Sequence, residues 1–135
     1  MNTSIEDYLR VLYRIYENQK NKEKGIKSVE VAEMLGISKP SVSAMIRKIM
    51  KKRYLRVSTY SRIHLTKKGL QEARRVMHNH RVIEVFLKEI LKYNIEDVHE
   101  EAHKLEHAFS KESIMRLDRY LKNPKMSPHG IKIPH

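Results

Sequence analysis

The chain has 135 residues, of which 40% are hydrophobic and 33% charged, and its formal net charge is +12. The absence of cysteine excludes disulfide bonds, thiolate metal ligands and a cysteine nucleophile. The sequence shows no apolar run near the roughly 18–20 residues that span a bilayer and no signal-peptide core, so we expect a soluble, cytoplasmic protein.

The positive charge is concentrated in the first half of the chain. Residues 1–74 hold 17 Lys and Arg against 7 Asp and Glu, a net charge of +10, whereas residues 75–135 hold 11 against 9, a net charge of +2. Seven of the eight histidines fall in the second part. A basic half favours phosphate backbones or anionic membrane surfaces as partners, and charge alone does not choose between them.

The first predicted element is a helix over about residues 4–18, where apolar side chains recur at helical spacing. Thr3 with Glu6 fits a capping box at its start. Asp7 is an acidic residue of the first turn, of the kind that the helix dipole favours. Residues 19–27 are predicted to form a polar loop.

Residues 28–53 have the pattern of two short helices joined by a turn. Ser28 is predicted to cap the first helix, and Gly36 to end it in the left-handed conformation. Ser38 is predicted to cap the second helix, with Pro40 in the first turn, where a missing N–H is harmless. Such a pair favours a helix-turn-helix, whose second helix enters the major groove of DNA.

Two short alternating runs at residues 55–58 and 62–65 predict a β-hairpin after the second helix, which completes a winged helix. The outer face of that helix and the tip of the wing carry small hydroxyl side chains and cations. These side chains allow close approach to DNA and neutralise phosphates. The predicted DNA-binding residues are Ser38, Lys39, Pro40, Ser41, Ser43, Arg47, Lys48, Ser61 and Arg62.

Three more helices are predicted, from Thr66 to about Leu91, over residues 95–107, and from Ser110 to about Lys122, followed by an irregular tail. On the middle one, three imidazoles and a carboxylate lie at i, i+4, i+7 and i+8 and so share one face. They are His99, His103, Glu106 and His107.

The longest predicted helix carries a second pair of this kind, His80 and Glu84, spaced i and i+4. Imidazole nitrogen and carboxylate oxygen together suit Mn²⁺, Fe²⁺, Co²⁺ or Zn²⁺. The pattern therefore predicts a metal site on the helix over residues 95–107, and the pair on the longer helix could bind one cation.

Three other interpretations stand beside the metal site. They are a metal-independent winged-helix regulator with structural histidines, a hydrolytic or redox metalloenzyme, and a protein that binds a membrane surface. The sequence offers no further nucleophile, base or substrate pocket for an enzyme. The basic residues are spread over a winged fold rather than along one amphipathic helix, which disfavours the membrane surface.

The whole chain resembles the diphtheria-toxin-repressor family of iron- and manganese-dependent transcriptional repressors. The matching segments are residues 6–10, 38–43, 65–69, 80–81 with 84, 98–102, 106–107, 127–130 and 133–134. The resemblance implies a mainly α fold, with a winged helix-turn-helix DNA-binding domain in residues 1–74. An all-helical metal-binding and dimerisation domain would follow in residues 75–135, in a short form without the SH3-like third domain of longer members.

The resemblance also implies a function and a ligand set. Family members are not enzymes but regulators of metal-homeostasis genes, which bind a pseudo-palindromic operator in double-stranded DNA as a metal-loaded homodimer. The ligands of the primary site would be Asp7, His103, Glu106 and His107, and those of the ancillary site would be His80, Glu84 and His99. The apolar residues expected at the dimer interface are Phe86, Leu87, Ile90, Leu91 and Phe109.

Several positions depart from the family pattern. This chain has Asp7 and His103 where iron-branch members carry a thioether and a thiol. Arg10 stands where the manganese branch has a further carboxylate, and Ala44 replaces a longer polar residue of some recognition helices. Because Asp7 and Glu106 would just neutralise a divalent ion, we expect Fe²⁺ or Mn²⁺, with Zn²⁺ also compatible.

Overall fold

The computed structural model describes residues 4–135, which divide between Val76 and Met77 into two compact units. The predicted fold class, a winged helix-turn-helix followed by an all-helical part, is confirmed. The separation of DNA-binding and metal-binding roles at residues 1–74 and 75–135 stays a prediction. The elements are α1 (Ile5–Asn18), α2 (Ser28–Leu35), α3 (Lys39–Met50), β1 (Leu55–Val57), β2 (Ile63–Leu65), α4 (Lys67–Glu89), α5 (Ile95–Glu106) and α6 (Lys111–Tyr120), with 3-10 turns at Lys22–Lys24 and Thr59–Ser61.

Helix α1 begins with a capping box that lies one residue later than predicted. The Ser4 hydroxyl accepts the Asp7 amide at 3.1 Å, and Asp7 Oδ2 accepts the Ser4 amide at 2.9 Å. Glu6 instead pairs with Arg75, whose Nη2 lies 2.8 Å from Glu6 Oε2. Thr3, the predicted cap, lies outside the described residues. The cap therefore falls on Ser4, with Asp7 as its acidic partner.

The two helices of the helix-turn-helix end and begin largely as predicted. Gly36 follows α2 with a φ of +65° and a ψ of +36°, the left-handed conformation that glycine adopts at low cost. The Ser38 hydroxyl accepts the Ser41 amide at 3.3 Å and so caps α3. The predicted cap by Ser28 is wrong: α2 already begins at Ser28, and Lys27 at the cap position makes no side-chain hydrogen bond.

The wing is an antiparallel pair of strands, in which Leu55 faces Leu65 and Val57 faces Ile63. Ile26 extends it, because its N–H and C=O exchange hydrogen bonds of 2.8 Å with Ile63. Ile26 is buried, so the prediction of a polar loop over residues 19–27 is wrong at its end. The hydrophobic core of this unit comprises Tyr8, Val11, Leu12, Ile15, Ile26, Val31, Ala32, Val42, Ile46, Ile49, Leu55 and Ile63.

The second unit packs the later part of α4 with α5, α6 and the tail. One buried hydrophobic cluster of this unit comprises Ile83, Leu87, Val98, Ala102 and Ile114. Leu87 is therefore interior, which corrects its predicted place at a dimer interface. Ile90 and Leu91 remain exposed at 42% and 50%.

The tail after α6 lacks regular secondary structure, yet it is fixed in place. Ile133 is buried against Val82 and Val85, and Arg81 donates to the Lys132 carbonyl at 2.7 Å. Within the described part of the chain, no helix has the length and apolar character that a membrane crossing requires.

Candidate functional site

The predicted DNA-binding residues of α3 lie on its solvent face. All seven of them are exposed, whereas Val42, Ile46 and Ile49 of the same helix are buried. This division follows from the period of the helix, since the buried positions recur every three to four residues. The exposed set is Ser38, Lys39, Pro40, Ser41, Ser43, Arg47 and Lys48.

The two predicted wing residues differ in exposure. Ser61 is exposed at the tip of the wing, where it and Tyr60 both have positive φ angles, of 58° and 68°. Arg62 is only partly exposed, which limits the reach that was predicted for it. Sequence reasoning did not select Tyr60, 90% exposed at the tip, or Arg56, exposed on β1. The alternation of apolar and polar residues along β1 already places Arg56 on the outer face.

The second unit brings His80 and Glu106 into direct contact. His80 Nδ1 lies 2.5 Å from Glu106 Oε2, and both side chains are almost fully buried. A carboxylate oxygen accepts, so His80 donates through Nδ1 and, in the neutral ring, has its lone pair on Nε2. This is the arrangement by which an outer carboxylate orients a metal-binding histidine.

Nε2 of His80 faces a buried carboxylate oxygen that other imidazoles also approach. Glu84 Oε2 lies 3.5 Å from His80 Nε2, 3.6 Å from His99 Nδ1 and 3.4 Å from His129 Nδ1. This oxygen is buried and has no hydrogen-bond partner within residues 4–135. Leaving such an oxygen unsatisfied is costly unless a cation or proton neutralises it. The donors therefore fit a divalent transition-metal ion.

The electrostatics of this pair are set by burial and by opposite charge. Burial opposes the charge of Glu84, but the nearby imidazoles of His80 and His99 outweigh it and lower the pKa of Glu84 to about 2. Burial also opposes a charge on His80, while its hydrogen bond to Glu106 and the nearby Glu84 carboxylate prevail and raise its pKa. Without metal, the site is thus a carboxylate that favours a protonated imidazole.

A second cluster lies at the end of α5. One ligand atom from each of His103, Glu106 and His107 lies within 4.8 Å of the others, and the two imidazole rings have centroids 5.8 Å apart. Glu106 is buried, and its Oε1 lies 3.5 Å from His107 Nε2. The helical spacing that suggested a shared face therefore does bring these three donors together.

Glu106 is a member of the second cluster that also contacts the first, since one of its oxygens faces His107 and the other faces His80. Asp7, the fourth ligand that the resemblance implies, lies in the first unit, where it closes the capping box of α1. His129 was not selected from the sequence because the tail has no helical or strand period that would give its direction.

Comparison with known proteins identifies the family. Residues 1–63 match the family model "Iron dependent repressor, N-terminal DNA binding domain", and residues 66–135 match "Iron dependent repressor, metal binding and dimerisation domain". The chain belongs to the iron-dependent repressor family.

Individual relatives come from both the iron and the manganese branches of this family. The chain is 38% identical over 125 residues to the uncharacterized regulator MJ0568 of Methanocaldococcus jannaschii, covering 93% of this chain and 98% of that one. It is 35% identical over 133 residues to the iron-dependent repressor IdeR of Mycobacterium tuberculosis, covering 97% of this chain but 55% of IdeR. The solved structure of the manganese regulator SloR matches with a TM-score of 0.86 at 37% identity, over all of this chain and 61% of that one.

Proposed function

We propose that the protein is a transcriptional repressor of metal-homeostasis genes that binds operator DNA as a homodimer when loaded with Fe²⁺ or Mn²⁺. The observation that carries the proposal is the buried Glu84 Oε2, which faces three imidazole nitrogens at 3.4–3.6 Å in a family of metal-dependent regulators. An enzymatic role is not part of the proposal, because the known family members are regulators.

Two sets of ligands are proposed, as the resemblance implies. His80, Glu84 and His99 would hold one ion, and His103, Glu106 and His107, with Asp7, would hold another. When bound, each ion supplies positive charge that neutralises its carboxylates and fixes the imidazole rings. Hydrogen bonds within the chain orient two of these ligands before any metal binds. Glu106 accepts a hydrogen bond from His80, and the Ser4 amide donates one to the Asp7 carboxylate.

A ligand set that joins Asp7 to His103, Glu106 and His107 would make metal affinity depend on the conformation of the whole chain. A ligand shifts a conformational equilibrium only by its differential affinity for the two states. A tenfold gain in DNA affinity on metal binding therefore requires about 1.4 kcal/mol of coupling. The exposed cations and hydroxyls of α3 and the wing would make the DNA contacts, with the pseudo-palindromic operator matched to the two-fold symmetry of the dimer.

The decisive experiment measures DNA binding by fluorescence anisotropy at a fixed salt concentration, because salt alone changes such affinities by orders of magnitude. The duplex is selected from a random pool by the metal-loaded protein. Chelated protein is compared with protein given Mn²⁺, Fe²⁺ without oxygen, or Zn²⁺. We expect at least a tenfold tighter complex with one of these metals and its loss on chelation.

Variants of α5 test the assignment of the ligands. Glu106→Gln and His107→Ala should lose the metal response, whereas Glu100→Gln, an exposed change of the same charge on the same helix, should keep it. DNA binding that persists without metal and in both variants would instead favour a metal-independent winged-helix regulator.

A further inference from the structure

The second unit contains another cluster of metal-binding side chains, which the proposed function does not use. It comprises His78 of α4, Asp118 of α6 and His135 of the tail, and one ligand atom from each lies within 4.8 Å of the others. His78 Nε2 lies 3.0 Å from Asp118 Oδ2, and His135 Nδ1 lies 4.0 Å from the same oxygen. His78 is only two residues from His80, and side chains two apart on a helix face different directions.

In each imidazole, the nitrogen turned away from Asp118 contacts a different oxygen, and this contact determines where the proton of the neutral ring lies. His135 Nε2 lies 3.0 Å from the Pro124 carbonyl, which can only accept, so the neutral ring has its lone pair on Nδ1. His78 Nδ1 lies 3.1 Å from Asn79 Oδ1, also an acceptor, which leaves the lone pair on Nε2. In their neutral forms, both rings thus present lone pairs to the carboxylate of Asp118.

Lone pairs that converge on a carboxylate repel one another unless a proton or a cation lies between them. A proton on His78 would satisfy its contact with Asp118 Oδ2. It would leave His135 Nδ1 without a donor, and Asp118 Oδ1 is buried without a hydrogen-bond partner among the described residues. A single divalent ion would satisfy His78, Asp118 and His135 together.

We propose that His78, Asp118 and His135 bind a divalent transition-metal ion, with Zn²⁺ as the best-suited probe. Two imidazoles and one carboxylate are a donor set that Zn²⁺ accepts, with water completing the shell. Tetrahedral metal–ligand bonds of about 2.0–2.2 Å place neighbouring ligand atoms roughly 3.3–3.6 Å apart. His78 and Asp118, at 3.0 Å, lie within a few tenths of an ångström of this distance, and His135, at 4.0 Å from Asp118, reaches it by moving inward about 0.5 Å.

The oxygens of Asn79 and Pro124 then act as outer partners that orient the two rings. Ile133, which is buried two residues before His135, holds the tail in position for this site. Zinc bound here would tie the C-terminal tail to α4 and α6. The site is independent of the ligands proposed for metal-dependent DNA binding.

The test counts zinc bound per chain after dialysis against a buffered free-zinc concentration that saturates the wild-type protein. Asp118→Asn and His135→Ala should each bind one zinc ion fewer per chain, or bind that ion at least roughly tenfold more weakly. Removing a residue that only orients a metal ligand already weakens metal binding about tenfold, so removing a ligand should cost at least as much. Glu112→Gln is the matched control, because it removes the same charge from an exposed position of α6. It should bind as much zinc as the wild type.

Identical zinc stoichiometry and affinity in all four proteins would overturn the proposal, as would an equal loss in Glu112→Gln. Circular dichroism establishes that each variant is folded, and the exposed His135 offers a substitution with little effect on the core. Anomalous scattering from zinc-soaked wild-type crystals gives a measurement that needs no variant. We expect a peak bounded by His78, Asp118 and His135, and its absence beside peaks elsewhere would refute the site.

Discussion

At the scale of single residues, Glu106 has an unusual position, because its two oxygens face different imidazoles. Oε2 accepts from His80, and Oε1 lies 3.5 Å from His107. Both proposed metal sites therefore share this carboxylate, one through direct contact and the other through the orientation of His80. Removing the charge of Glu106 is therefore expected to weaken metal binding at both sets of ligands. A substitution of a residue that contacts only one set is expected to affect that set alone.

The raised pKa of His80 predicts how the stability of the metal-free protein depends on pH. A histidine whose folded pKa is raised stabilises the fold fully below its unfolded pKa of about 6.5, and this contribution disappears as pH rises through the folded pKa. Glu84 does not interfere in that range, because the contribution of its lowered pKa is fully present above the unfolded value of 4.5 and is lost only as the pH falls from there through about 2.

We expect the free energy of unfolding of chelated protein to fall as the pH rises above about 6.5 and through the raised folded pKa of His80, and to fall less in His80→Gln. Urea denaturation at several pH values measures both curves, and the comparison removes the effect of the other histidines. Equal slopes in the two proteins would mean that His80 does not gain its proton from the buried carboxylates.

At the scale of elements, the close approach of α4 to the end of the helix-turn-helix depends on Gly69. A Cβ at this position would stand 1.9 Å from the Tyr54 carbonyl oxygen, which also accepts the Thr66 amide at 3.0 Å. The Thr66 hydroxyl in turn accepts the Gly69 amide at 3.0 Å and caps the helix. Any side chain at Gly69 must push α4 away from Tyr54 and strain this connection.

Gly69→Ala should therefore destabilise the protein by about 1–3 kcal/mol, although alanine normally stabilises a helix by about 1 kcal/mol relative to glycine. Gly36→Ala is the comparison, since a Cβ there would meet no atom within 4 Å among the described residues beyond its chain neighbours. Only the left-handed backbone opposes that change, at about 1–2 kcal/mol. Thermal and urea unfolding measure both. A stabilised Gly69→Ala would show that the helix moves without cost.

The helices and their ends show which features could be predicted from the sequence alone. Local patterns were sufficient where a residue acts on its own neighbours, as in the left-handed Gly36, the Ser38 cap and the helical spacing of His103, Glu106 and His107. They failed at Ser28, which is the first residue of its helix rather than the residue that caps it.

Long-range pairing could not be predicted from such patterns. The polar neighbours of Ile26 suggested only a loop. Ile26 instead joins the wing through hydrogen bonds to Ile63, which lies far along the chain and which no local pattern indicates. His129 and His135 lie in a tail without periodicity, and their positions depend on the burial of Ile133 and on the hydrogen bond from Arg81. The helical part of the candidate site was thus predictable, whereas the part supplied by the tail was not.

At the scale of the whole molecule, the proposed function is a coupling between two ligands, metal and DNA. The basic charge lies mostly in residues 1–74 and the histidines mostly in residues 75–135, so the proposed DNA contacts and most of the proposed metal ligands fall in different parts of the chain. Coupling free energy is reciprocal by thermodynamic necessity. If metal tightens DNA binding by some factor, operator DNA must tighten metal binding by the same factor, whatever conformational change connects them.

This reciprocity gives a quantitative prediction. The affinity for Mn²⁺ is titrated with and without saturating operator duplex, and the affinity for the duplex is measured with and without Mn²⁺ at the same salt concentration. We expect the two ratios to agree, at tenfold or more, which corresponds to at least about 1.4 kcal/mol. A non-operator duplex of equal length is the control for ion condensation around DNA, which would otherwise concentrate Mn²⁺ near the protein. Metal affinity that operator and control DNA change equally would show that the histidine clusters do not communicate with the winged helix, and the proposed repressor mechanism would then fail even if both ligands bind.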